Sequence, residues 1–166
     1  MILPRLIIAF AIFLVACATA EKPEQGSGWL LEAPSDQERF DRLQDYLGGF
    51  SSAMWEVGER FDSVYVAIVE ENYPLADYHW AKIADAIRGG ALKRPAREAN
   101  SNALFLEGAW VEMRQALDTG NVDTVRAAYE SARHACMNCH IAEGVAFMND
   151  QPILRDQTFS TDQPAE

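Results

Sequence analysis

Residues 40–68 read FDRLQDYLGGFSSAMWEVGERFDSVYVAI, and in this stretch Phe40, Leu43, Leu47, Phe50, Met54, Val57, Phe61, Val64 and Ile68 recur at alternating spacings of three and four. A half-buried strand would alternate by two, so this pattern predicts an amphipathic helix, either one long rod or two collinear ones with a bend at Gly48-Gly49. Ser35 or Asp36 can cap its start, and Glu38 complements the helix dipole there. Asn72-Tyr73-Pro74 ends it, with Pro74 opening the next helix where a missing N–H costs nothing.

The same period continues outward. Helix 2 runs to about Arg88 on a face of Ala76, Trp80, Ile83 and Ile87, with Gly89-Gly90 as its expected C-cap. A loop over 91–100 follows, and Ser101 or Asn102 caps helix 3, whose face is Ala103, Leu106, Trp110, Met113 and Leu117. Thr119-Gly120-Asn121 is the next break, after which helix 4 keeps its heptad at Val122, Val125, Tyr129, Ala132, Cys136 and Cys139. Four amphipathic helices on short loops bury their stripes together as an all-α four-helix bundle, expected over residues 35–150. Residues 151–166 read as a loose tail.

The 166 residues carry 25 acids against 14 bases, a formal charge of -11. Such acidity excludes a nucleic-acid backbone as partner, since counterion release needs a basic surface. At the N-terminus, Arg5 and the apolar run from Leu6 to Ala16 predict a signal peptide over 1–16, too short to span a bilayer. Leu14-Val15-Ala16-Cys17 resembles a bacterial lipobox, which would leave Cys17 lipidated and anchor the chain at a membrane. Ala18-Thr19-Ala20 offers the alternative of cleavage after residue 20. By resemblance to Gram-negative lipoproteins, Ala18 after the Cys favours the outer membrane. Loss of Arg5 with the leader would take the charge from -11 to -12, and residues 17–34, polar and rich in Pro and Gly from Glu21 to Gly28, read as a flexible tether.

Helix 4 carries Cys136-Met137-Asn138-Cys139-His140, a CxxCH motif of the kind that attaches c-type haem. Two thiols one helical turn apart can form thioethers to both vinyl groups of one porphyrin, and the adjacent imidazole points at the iron. Both Cys fall on inward heptad positions, which directs the ring into the bundle. Three other readings of the motif are weaker: a thioredoxin-like redox pair lacks its βαβ context, a zinc site has only His79 and His134 left as ligands, and a disulfide between Cys three apart on a regular helix has poor geometry.

A CxxCH near the end of a helix-rich exported chain resembles the class II cytochromes c, the cytochrome c-prime group, and the likeness covers roughly residues 36–150. It implies haem c bound through Cys136 and Cys139 with His140 as proximal iron ligand. Ile141-Ala142-Glu143-Gly144 departs from that group in lacking a basic residue close behind the His. The chain is also similar to a set of uncharacterised exported monohaem cytochromes with an M-x-E-V-G-x-R-[FY] stretch and a later R-P-x-R, here Met54 to Phe61 and Arg94 to Arg97.

The sixth iron position decides between electron transfer and gas binding. Met54, on the inward stripe of helix 1, is the first candidate, and class II relatives with a Met ligand supply it from that helix. Its alternative is core filler, as for Met113. Met148 could reach back only through a tight turn, His79 reads as a packing residue, and His134 as solvated. Among Arg60, Arg88, Lys93, Arg94 and Arg97, one could hold a haem propionate or the group could form a docking patch. No nucleophile set, phosphate loop or hydrolytic carboxylate pair is present, so the chain reads as a carrier and not an enzyme. The expectation is a periplasmic, lipid-anchored one-electron cytochrome whose acidity suits a basic redox partner, with a homodimer left open. A five-coordinate NO or CO module is the alternative, and a helical lipoprotein with an unused CxxCH is the third.

Overall fold

A computed structural model describes residues 28–159, and within them all regular structure is helical. The predicted signal peptide, Cys17 and most of the predicted tether lie outside the described residues. The chain divides into two compact units between Gln44 and Asp45.

In the first unit, the end of the predicted tether folds back. Arg39 Nε donates to the Leu30 carbonyl at 2.9 Å and Arg42 Nη1 to that of Trp29 at 2.6 Å. Helix α1 (Asp36–Leu47) is capped by Ser35, whose Oγ accepts from the Glu38 N–H at 3.1 Å. No residue of α1 is buried, and Phe40 is 66% exposed. The apolar period of 40–47 is therefore not part of the core, contrary to the expectation of one continuous stripe.

The helix ends at Gly48-Gly49, the break expected there. Gly48 takes φ +64°, a left-handed conformation natural to glycine. Lys93 Nζ donates to the Leu47 carbonyl at 3.1 Å, satisfying one of the orphaned terminal acceptors. Helix α2 (Phe50–Val69) then starts anew, and Asn72, accepting from the Leu75 N–H at 3.2 Å, caps α3 (Tyr73–Lys93) with Pro74 in its first turn.

Helix α3 passes through Gly89-Gly90 and does not end there, so the expected C-cap is wrong. The reason is packing: a Cβ on Gly90 would stand 3.0 Å from both the Ala53 Cβ and the Phe50 ring, whereas one on Gly89 would meet nothing within 4 Å. Gly90 is a point of close approach between α2 and α3. The two glycines should respond oppositely to alanine. Gly89→Ala is expected to raise stability by about 0.5–1 kcal/mol through helix propensity. Gly90→Ala should lower it by about 1–3 kcal/mol through overpacking. Urea midpoints measured on the two variants check the difference in sign.

The expected loop over 91–100 is shorter than read. A 3-10 turn (Pro95–Arg97) leads directly into α4 (Glu98–Ser101), so neither Ser101 nor Asn102 is an N-cap. Ser101 is buried inside the helix, its Oγ donating to the Glu98 carbonyl at 3.0 Å. A π-turn over Asn102–Leu106 follows, closed by Glu107 N–H on the Asn102 carbonyl at 3.0 Å, before α5 (Ala109–Thr119). A π-turn inserts one residue into the helical period. That slip exposes Ala103, predicted to face inward, and buries Phe105 instead. Past the αL residue Gly120, Asn121 caps α6 (Val122–Ala142) by accepting from the Thr124 N–H at 2.9 Å.

Helices α2, α3, α4–α5 and α6 share one core. Trp80, Val64, Ile68, Ile83, Met113, Val125 and Tyr129 are fully enclosed in it. Phe61 stacks on Tyr129 at 4.6 Å between ring centroids, and Trp80 lies 6.3 Å from Phe61.

The stretch after residue 150 is not a loose tail as far as it is described. In α7 (Pro152–Arg155) Leu154 is buried, and its carbonyl accepts from Arg133 Nη1 at 2.7 Å. The Phe159 N–H donates to Glu130 Oε1 at 2.7 Å while its ring packs on Tyr65 and Tyr129. Arg133 and Glu130 are themselves paired at 2.8 Å, so one ion pair on α6 grips the returning chain at two points.

Candidate functional site

The chain path gathers four helix ends at the CxxCH. Gly90 near the end of α3 touches Phe50 and Ala53 near the start of α2. Arg97 and Asn100, at the start of α4, reach Glu143 just past α6: Arg97 forms an ion pair with its carboxylate, and Asn100 Nδ2 donates to Glu143 Oε1 at 2.6 Å. Helices α2 and α6 therefore run antiparallel, in register at the Phe61–Tyr129 stack. Counting seven residues, about 10 Å, from that stack toward this end reaches Met54 on α2 and Cys136 on α6.

At this end the core thins. Phe61, Val64 and Ile68 of α2 are buried, but Phe50, Met54 and Val57 are only partly so, as are Cys136 and Met137 of α6. Ile141 is 58% exposed and Phe147 70%. Large apolar surface thus surrounds the motif without being fully covered by protein.

Both thiols are free. Burial pushes the Cys136 thiol up to about 12, with Cys139 adding to the effect. Burial also raises Cys139, against a smaller opposing pull from the Arg97 guanidinium. A redox CxxC needs a thiolate stabilised near neutral pH, so these environments run the wrong way for one. Among the described residues no three His, Cys, Asp or Glu side chains converge closely enough to hold a metal ion, which leaves a zinc reading without its ligands. The Tyr129 hydroxyl is buried with no hydrogen-bond partner among the described residues. Burial drives its phenol well above the usual range, with Cys136 the next contributor.

Family models, curated proteins and solved structures gave no match to this chain. The site is therefore read from its own chemistry.

His140 is held. Its Nδ1 lies 2.9 Å from Asn149 Oδ1, and Asn149 Nδ2 donates to the Met137 carbonyl at 3.2 Å. The tight turn needed for the chain to come back exists: Gly144 takes φ +73°, and a 3-10 turn over Ala146–Asp150 lies against α6. What that turn delivers to His140 is Asn149. Met148 instead accepts from Gln151 Nε2 through its sulfur at 3.6 Å. Nothing in the apolar period marks Asn149; the only sequence signal is a glycine two residues past the helix.

The other candidates disperse. His79 Nδ1 faces Arg60 at 3.3 Å, and burial followed by the Arg60 charge lowers its pKa. It lies one residue from Trp80, at the level of the aromatic stack and not of the CxxCH. His134 is exposed beside Arg133. Of the basic residues, Arg60 pairs with Glu56, Arg88 lies over the Trp110 ring near Asp85, and Lys93 holds Leu47. Arg94 donates to the Lys93 carbonyl at 2.7 Å, and only Arg97 reaches the motif's helix. A concavity between α2 and α3, lined by Ser52, Glu56, Lys82, Asp85 and Lys93, includes none of the CxxCH residues.

Proposed function

We propose that the protein is a monohaem c-type cytochrome built as a four-helix bundle, carrying single electrons between exported partners. The observation that carries this reading is the coincidence of the CxxCH with an end of the core whose apolar residues are incompletely covered. The residues fit the group: two free thiols one turn apart, an imidazole held through Nδ1 so that Nε2 is left for the iron, and exposed Ile141 and Phe147 as wall.

When bound through Cys136, Cys139 and His140, haem c would supply one-electron iron chemistry. The chain's own contribution is to exclude water with the Met54 and Val57 face, to orient the imidazole, and to set local charge with Arg97 and Glu143. Met54 supports electron transfer over gas binding because it lies level with Cys136 on the facing helix. The export signal and the lipid anchor at Cys17 belong to the same proposal. The net charge of -11 favours a redox partner with a basic docking surface.

The test is the visible spectrum of the purified reduced protein, with and without CO. A low-spin spectrum that CO leaves unchanged is expected. A high-spin spectrum that shifts with CO would remove Met54 from the iron and favour a gas-binding module. Failure to find covalently retained haem after acid-acetone extraction would refute both.

A further inference from the structure

We infer that Asn149 is a positioning residue that fixes the tautomer of His140 and, through it, tunes the iron; this rests on the cytochrome reading above. A backbone carbonyl can only accept, so the Met137 carbonyl at 3.2 Å fixes which end of the Asn149 amide faces it: the NH2 group donates there, and Oδ1 turns to His140. Oδ1 can only accept as well. The proton of the imidazole therefore sits on Nδ1, 2.9 Å away, and Nε2 presents its lone pair.

In water the neutral imidazole of histidine favours the proton on Nε2, the arrangement that cannot ligate through Nε2. Asn149 reverses that preference before any iron is present. It also stops the ring rotating about Cβ–Cγ, because both rotation and the wrong tautomer would break the bond to Oδ1. The device is local and rigid. Gly144 turns the chain, the 3-10 turn carries Asn149 back, and the second amide bond anchors it to the same helix as the ligand, one turn upstream of His140. A ligating imidazole whose other nitrogen donates to a fixed acceptor is a stronger electron donor to the metal.

The test compares the full-length protein with Asn149→Asp and Asn149→Ala, reading the midpoint potential. A carboxylate draws the Nδ1 proton harder, so Asn149→Asp is expected to lower the potential. Asn149→Ala removes the acceptor and should raise it. Shifts of opposite sign are not what a merely structural role gives. Equal potentials in all three proteins, or shifts of the same sign, would overturn the proposal. Unchanged helix content by circular dichroism keeps folding out of the comparison. Should the purified chain carry no covalent haem, the cytochrome reading falls while nitrogen-15 shifts of His140 in that chain still report its tautomer. A proton on Nδ1 that moves to Nε2 in Asn149→Ala supports the role of Asn149, and a proton on Nε2 in the unaltered chain refutes it.

Discussion

Replacing both thiols, Cys136→Ser with Cys139→Ser, is expected to abolish covalent haem while leaving the helices in place. Each attachment is an addition of S–H across a vinyl double bond: the sulfur–carbon bond forms and the proton goes to the other vinyl carbon. No oxidant or reductant is consumed. A serine hydroxyl is too weak a nucleophile for this addition, so each single variant should keep one thioether and the double variant none. The helices should survive because Cys136 and Cys139 are only partly buried and lie outside the fully enclosed set around Trp80 and Tyr129. Haem staining of denaturing gels reads the covalent bond, and circular dichroism reads the fold. Haem that stays covalently bound in the double variant would show attachment elsewhere, and the assignment of the CxxCH would be wrong.

The apolar period gave the helical class and most of the inward faces correctly, because burial at intervals of three and four is dictated by helix geometry whatever the neighbours are. Ala76, Trp80, Ile83 and Ile87 are all buried as read. The failures share a cause. Phe40 and Leu47 keep the period but are 66% and 46% exposed, and period alone does not say what a stripe meets. Gly90 looks like a helix stop, yet it is a contact glycine, which only the position of Phe50 and Ala53 reveals. The π-turn shifts the face of the third rod by one residue with no sequence mark. At the site, the CxxCH was legible, while Asn149 was not: it depends on a chain reversal after residue 144 that brings a polar side chain back to a helix already left behind.

Trp80→Ala is expected to cost about 3–5 kcal/mol, the usual range for emptying a large aromatic site. Against a typical domain stability of about 5–15 kcal/mol, that leaves little margin. Trp80 is fully buried at the centre of the core, packing on Phe61 and Phe105. It also makes a reciprocal pair with Trp110: Trp80 Nε1 donates to the Trp110 carbonyl at 2.9 Å, and Trp110 Nε1 to the Trp80 carbonyl at 3.1 Å. Two indoles thus tie α3 to α5 across the core. Trp80→Phe keeps much of the volume but removes one donor, and should cost less than the alanine variant. Trp110 is half-exposed with Arg88 and Arg114 over its ring, so Trp110→Phe should be milder still. Urea unfolding should give midpoints falling in the order unaltered, Trp110→Phe, Trp80→Phe, Trp80→Ala, with the slope unchanged if the denatured state is unaffected. A Trp80→Ala midpoint equal to that of Trp110→Phe would mean that the core relaxes around the missing ring, and that the burial at Trp80 does not measure its contribution.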